Sequence, residues 1–88
     1  MQKPRFIIEF EPGIEEKLRC FTKPVQKRIT SAIYEKLTMA PLEFGKPLRH
    51  EWASHRRLRV GDYRVIYKVI EEKVIVFIVE IDHRKDVY

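Results

Sequence analysis

The chain carries one cysteine, three glycines and no apolar run approaching a membrane span, and each shortage closes off a class of protein. With Cys20 alone no disulfide can form within the chain and nothing points to an oxidising compartment, so a cytoplasmic location is expected. A bilayer span needs about 20 predominantly apolar residues, and the N-terminus shows no apolar leader core; the chain is expected to be neither exported nor embedded. No Gly-rich phosphate loop is present. His50, His55 and His83 have no tight ligand spacing and no cysteine partner, so neither a metal site nor a cofactor is expected. Acidic side chains are the minority charge. Lys and Arg number 18 against 13 Asp and Glu, for a net +5, which suits a polyanionic partner: nucleic acid or an acidic protein segment.

What is present fits a single domain over residues 1–88. A chain of this length with 44% apolar content buries roughly 60% of the surface its unfolded form would expose. Phe6 to Phe10 is a short apolar run bounded by Pro4 and Pro12-Gly13, and reads as a first strand inside the sheet. Ile14, Leu18 and Phe21 then recur at helical spacing, with Glu15 and Glu16 near the positive end of the helix dipole. Pro24 separates this short helix from a longer one, where Val25, Ile29, Ala32, Ile33 and Leu37 form an apolar stripe. Pro41, Gly45 and Pro47 mark a loop. The remainder reads as strands at about 56–60, 63–70 and 73–82. The expected fold is α+β, in the order β-α-α-β-β-β, with a helical hairpin packed on one face of a small, mainly antiparallel four-stranded sheet.

Gly61-Asp62 joins two of these strands and sets their register. Gly supplies the positive φ that a type II′ turn requires at its first central position, so Val60 should face Tyr63 and Arg59 should face Arg64. Strand alternation places Arg57 on the same side, opposite Ile66, while Leu58, Val60, Tyr63, Val65, Tyr67 and Val69 face the helices. Directly opposed like charges weaken a sheet, so three guanidiniums on one face are best explained by a visiting anion, and phosphate suits their planar forks. An even-length turn at Glu71-Glu72 would put Val79 opposite Arg64, with Ile75, Phe77, Ile81 and His83 on the same side. His83 is thereby expected on the arginine face.

Arginines beside a histidine and a tyrosine suit metal-free cleavage of a phosphodiester, which needs a base, a cation for the phosphorane oxygens and an acid for the leaving oxygen. RNA brings its own nucleophile, the 2′-hydroxyl. His83 titrates near neutrality and is the suitable proton carrier, although a histidine packed at a strand end is the competing explanation. Tyr88 is a second candidate. Arg56, Arg84 and Lys85 extend the basic surface, each also open to a role as a solvated charge. Glu51 could act as a base, but a pairing with Arg56 explains it more simply. Trp52 and Phe44 offer flat faces for base stacking or plugs for the core. Cys20 has no evident base beside it.

The segments LRVGDYRVIYKV and VFIVEIDHRKDVY resemble the RelE/ParE superfamily of toxin-antitoxin modules, and the likeness spans nearly the whole chain. The resemblance implies, in the RelE branch, a toxin that enters the ribosomal A site and cuts messenger RNA, leaving a 2′,3′-cyclic phosphate and a 5′-hydroxyl. In the ParE branch it implies an inhibitor of DNA gyrase, and a relative that only binds its antitoxin is a further alternative. By the resemblance Arg64 matches the hairpin arginine that stabilises the transition state, Arg84 a second catalytic arginine, and Tyr88 the tyrosine that orients or activates the 2′-hydroxyl. Arg57 and Arg59 fall where the RelE prototype has lysines; arginine keeps its proton, so these two would bind phosphate and not shuttle protons. The implied partners are the ribosome, messenger RNA and a cognate antitoxin with an acidic or amphipathic binding segment.

Overall fold

The computed structural model describes residues 5–83, apart from the side chain of Glu51. A five-stranded sheet, in the order β1-β5-β4-β3-β2, is covered on one face by helices. Its strands are β1 (Ile7–Phe10), β2 (Lys46–Pro47), β3 (Arg56–Val60), β4 (Tyr63–Ile70) and β5 (Ile75–His83). The helices are α1 (Ile14–Arg19), α2 (Lys23–Ala32) and the single turn α3 (Pro41–Phe44). None of the described helices is long and apolar enough to cross a membrane.

The strand count exceeds expectation by one, because the proline-rich loop contributes the two-residue β2, Lys46 and Pro47 pairing with Arg57 and Arg56. The first strand also lies elsewhere than expected. β1 is an edge strand, parallel to β5, which takes the interior place. Ile8 and Phe10 pack on the core, while Ile7 and Glu9 face outward and Ile7 stays 60% exposed. All other pairings are antiparallel.

The core lies between the helices and one face of the sheet. Leu58, Val60, Val65 and Tyr67 meet Ile14, Leu18, Ile29, Ile33 and Leu37 there, as the alternation and helical stripe predict. Each fully buried aliphatic contributes about 1.5–3 kcal/mol from burial. The stripe Val25, Ile29, Ile33, Leu37 has a period of four, which drifts by roughly 40° per step around a helix of 3.6 residues per turn. The chain absorbs this drift by continuing α2 as a wider π-helical turn over Ile33–Leu37, and Ile29, Ile33 and Leu37 are all fully buried.

The β3–β4 hairpin has the register its two-residue turn dictates. Arg59 pairs with Arg64, Arg57 with Ile66, and Val60 with Tyr63. Gly61 has φ +59°, and Asp62 is not among the positive-φ residues, as a type II′ turn requires. The β4–β5 connection departs from expectation. It runs through a 3-10 turn at Glu71–Lys73 and a left-handed Val74, so Ile70 pairs with Ile75. A bulge then inserts Val79: Tyr67 pairs with Ile78, but Ile66 pairs with Glu80. Beyond it Asp82, not Val79, lies opposite Arg64. One extra residue in a strand of period two turns everything after it to the other face.

Candidate nucleic-acid interface

The hairpin sends Arg57, Arg59 and Arg64 to the sheet face opposite the helices. Paired residues share a face, so the register builds two rows across the sheet there: Lys46, Arg57, Ile66, Glu80 in one, and Arg59, Arg64, Asp82 in the other. Arg57 and Arg64 are half-buried and Arg59 is exposed. Ile66 is buried but stands apart from the helix-side core, consistent with its place under this face. At the rim, where β3 outruns β2, a cavity of about 260 Å³ is lined by Lys36, Phe44, Lys46, Arg57, Leu58 and Arg59. The Lys36 ammonium lies 5.8 Å from the Phe44 ring centre. Four cationic side chains and one half-exposed aromatic thus border the same hollow, a chemistry matched to a phosphate backbone with a base beside it.

Lys36 and Lys46 were not foreseen. β2 is too short to leave a periodic signal, and only its pairing with β3 brings Lys46 beside Arg57. Phe44 borders the basic cavity, whereas Trp52 packs edge-on against His55, ring centres 5.0 Å apart. Burial and the nearby Lys68 charge push the His55 pKa down, against a weaker pull from Glu11.

Arg56 and His83 do not join the arginine face. Arg56 pairs with Tyr67 on the helix side, and its Nη2 donates to the carbonyl oxygens of Leu42 (2.8 Å) and Gly45 (2.7 Å). There it holds α3 and the following bend against the sheet, beside the Tyr67 hydroxyl, which donates to the Pro41 carbonyl at 2.6 Å. Gly45 is required at this clamp, since a Cβ would stand 2.0 Å from the Tyr67 hydroxyl oxygen. His83, turned over by the Val79 bulge, pairs with Tyr63, and the two rings meet at right angles with centres 4.8 Å apart. Tyr63 in turn packs on Phe21. Arg84, Lys85, Tyr88 and the side chain of Glu51 lie outside the described residues. Cys20 is exposed.

A mainly antiparallel sheet with helices on one face and clustered cations on the other offers a surface suited to a nucleic acid or an acidic partner. Residues 8–88 match the family described as the ParE toxin of the type II toxin-antitoxin system parDE, and the chain belongs to this RelE/ParE superfamily of toxins. It is similar to Toxin RelG of Mycobacterium tuberculosis (strain ATCC 25618 / H37Rv), 42% identical over 65 residues that make up 69% of this chain and 75% of that protein. It also resembles the toxin-antitoxin complex RelBE2 from M. tuberculosis, with a TM-score of 0.87, 28% identity, and 94% of this chain and 95% of that one covered. The fold is shared with the isolated E. coli RelE toxin, at a TM-score of 0.73 and 21% identity over 89% of this chain and 83% of that one.

Proposed function

We propose that this toxin is a ribosome-dependent messenger RNA endonuclease acting in the cytoplasm. The observation that carries the reading is the direct opposition of Arg59 and Arg64, with Arg57 and Lys46 in the neighbouring row of the same open face. Opposed like charges cost a sheet a few tenths to about 1 kcal/mol per pair, a cost that an occupying phosphate reverses. In the reaction the 2′-hydroxyl oxygen bonds to the adjacent phosphorus and gives up its proton. Negative charge gathers on the non-bridging oxygens, and the 5′-oxygen leaves as it takes a proton. The products are a 2′,3′-cyclic phosphate and a 5′-hydroxyl, and no metal is needed. Arg64 stabilises the phosphorane, while Arg57, Arg59 and Lys46 grip the flanking backbone. Arg84 supplies a second cation near the scissile phosphate and Lys85 a backbone contact. His83, seated against Tyr63 on the helix side, is a poor candidate for the proton transfer, which falls to Tyr88.

The M. tuberculosis RelBE2 and E. coli RelBE relatives are toxin-antitoxin complexes, which supports a cognate antitoxin here, with an acidic or amphipathic segment complementary to the basic face. The parDE family match favours a second reading, inhibition of DNA gyrase, in which the basic face contacts protein. Purified toxin added to programmed ribosomes discriminates the two. Cleavage in the A-site codon, lowered about 100-fold or more by Arg64→Ala, supports the nuclease. Inhibited supercoiling with intact translation supports the gyrase reading, and an Arg64→Ala protein that cuts as well as wild type removes Arg64 from the mechanism.

A further inference from the structure

Both rows of the arginine face end in a carboxylate. The Val79 bulge turns Glu80 and Asp82 to this side, Asp82 directly opposite Arg64 and Glu80 opposite Ile66, two strands from Arg57. Facing side chains on neighbouring strands have Cβ atoms about 5 Å apart, so an arginine and an aspartate so placed are within reach of a bidentate ion pair. Both carboxylates reach Lys17 of α1. Its Nζ donates to Glu80 Oε1 at 2.6 Å and to Asp82 Oδ1 at 2.8 Å, across 63 and 65 residues of sequence. Glu80 Oε1 also accepts from the Ile81 N–H at 3.0 Å, a backbone donor on the stretch of β5 beyond its pairing with β1. Burial alone would lower the Lys17 pKa, but the hydrogen bonds and charges of the two carboxylates outweigh it, so the ammonium stays charged across the physiological range.

We propose that Lys17 is a positioning residue for the anion site: it draws Glu80 and Asp82 toward α1 and offsets half of their charge, which leaves the arginines to an incoming phosphate. The proposal rests on the reading of the arginine face as a phosphate site, and it adds a residue that touches no substrate. One ammonium against two carboxylates also keeps the local charge low enough for a polyanion to approach. Without it, Asp82 becomes a built-in competitor tethered beside Arg64. A tethered group acts at millimolar effective concentration or above, enough to displace a weakly held phosphate.

The test is a binding titration with a 2′-O-methylated single-stranded RNA oligonucleotide, which the toxin cannot cut, read by fluorescence anisotropy at fixed low salt. Lys17→Met should weaken binding roughly fivefold to tenfold, the scale of one charge-assisted contact. Adding Asp82→Asn should bring affinity back to within about twofold of wild type. Adding Glu72→Gln instead restores the same net charge from the turn at the far end of β4, and should not rescue. Lys17→Arg should bind like wild type. Circular dichroism and thermal melting establish that each protein is folded, and the Lys17→Met/Asp82→Asn pair, which removes one charge of each sign, covers the case in which Lys17→Met does not fold. Rescue by Glu72→Gln equal to that by Asp82→Asn overturns the proposal, because it leaves only a general charge effect. So does a folded Lys17→Met protein that binds normally, or a double variant that binds as weakly as Lys17→Met. If the wild type does not bind the RNA at all, the phosphate-site reading fails first and this inference with it.

Discussion

Replacing Arg59 with threonine should make the protein more stable while weakening its grip on RNA. Arg59 and Arg64 face each other across β3 and β4, and Arg59 is the exposed member. With Cβ atoms about 5 Å apart and the guanidiniums splayed to about 7 Å, their repulsion in water is roughly 0.6 kcal/mol. Salt reduces it. At about 0.15 M the Debye length of about 8 Å cuts the repulsion to below half, whereas at about 10 mM most of it survives. Threonine adds a few tenths of a kcal/mol from its preference for a pleated strand. The sum is a gain of about 0.5–1 kcal/mol at low salt, or roughly 2–6 °C in Tm for a domain of this size.

An anion held between the two arginines reverses the ranking. A ligand that binds only the folded state at ten times its Kd stabilises it by about 1.4 kcal/mol. Sulfate should therefore raise the Tm of the wild type more than that of Arg59→Thr, and the two melting curves should converge or cross as sulfate is added. Differential scanning fluorimetry at 10 mM buffer, with sulfate matched against chloride at equal ionic strength, reads both effects. Arg59→Thr melting below wild type at low salt would show that the opposition stores no strain. Equal responses to sulfate would show that the anion does not sit between these strands.

Three further outcomes follow from the clamp at α3 and from titration. Arg56→Met should lower stability by about 1–3 kcal/mol, because the Leu42 and Gly45 carbonyls lose a charged donor, yet leave RNA affinity within about twofold when measured well below Tm; a loss of affinity like that of Arg59→Thr would return Arg56 to the phosphate contacts. Gly45→Ala should cost about 1–3 kcal/mol in urea denaturation by forcing the Tyr67 ring from its seat, and the cost should shrink in a Tyr67→Phe background; an additive pair would place the strain elsewhere. Burial raises the Tyr67 pKa above its ordinary value of 10.0, and the Glu80 and Asp82 contacts raise that of Lys17 above 10.5. Between the unfolded and folded pKa of each group the native state holds more protons than the unfolded state, so stability is full below about pH 10 and falls as pH rises through the folded values. Urea midpoints from pH 9 to 12 should show this fall, shallower in Tyr67→Phe, and an unchanged slope in that variant would exclude Tyr67 as a source.

The parts of the fold legible in the sequence are those set by short-range geometry. A two-residue Gly-Asp turn permits one register, so Arg59 opposite Arg64 and the apolar set Leu58, Val60, Val65 and Tyr67 toward the helices followed from counting. The same alternation assigns Arg56 to the helix face, and only its charge argues for grouping it with Arg57 and Arg59. The β4–β5 pairing is different in kind. Its turn contains a left-handed valine, and the bulge falls within Ile75-Val-Phe-Ile-Val79, where every residue suits a strand and no glycine marks the extra one. Lys17 leaves no signal either, since its partners lie at the other end of the chain.

The two illegible features are physically one. Had β5 run without a bulge, Ile81 and His83 would flank Arg64 on the open face, with Glu80 and Asp82 turned toward the apolar core. Burying two unpaired carboxylates there would cost several kcal/mol. The bulge avoids that cost by exchanging the faces: Ile81 enters the core with no exposed surface, and the acids emerge beside the arginines, where Lys17 receives them. Core burial thus selects the bulge, the bulge selects the neighbours of Arg64, and α1 must then supply a cation. Deleting Val79 is the corresponding perturbation. Without the extra residue plain alternation already puts Ile81 in the core and the acids beside Arg64, so the variant should fold with nearly wild-type stability, and a protein lacking Val79 that fails to fold would show that the bulge does more than carry Ile81 into the core.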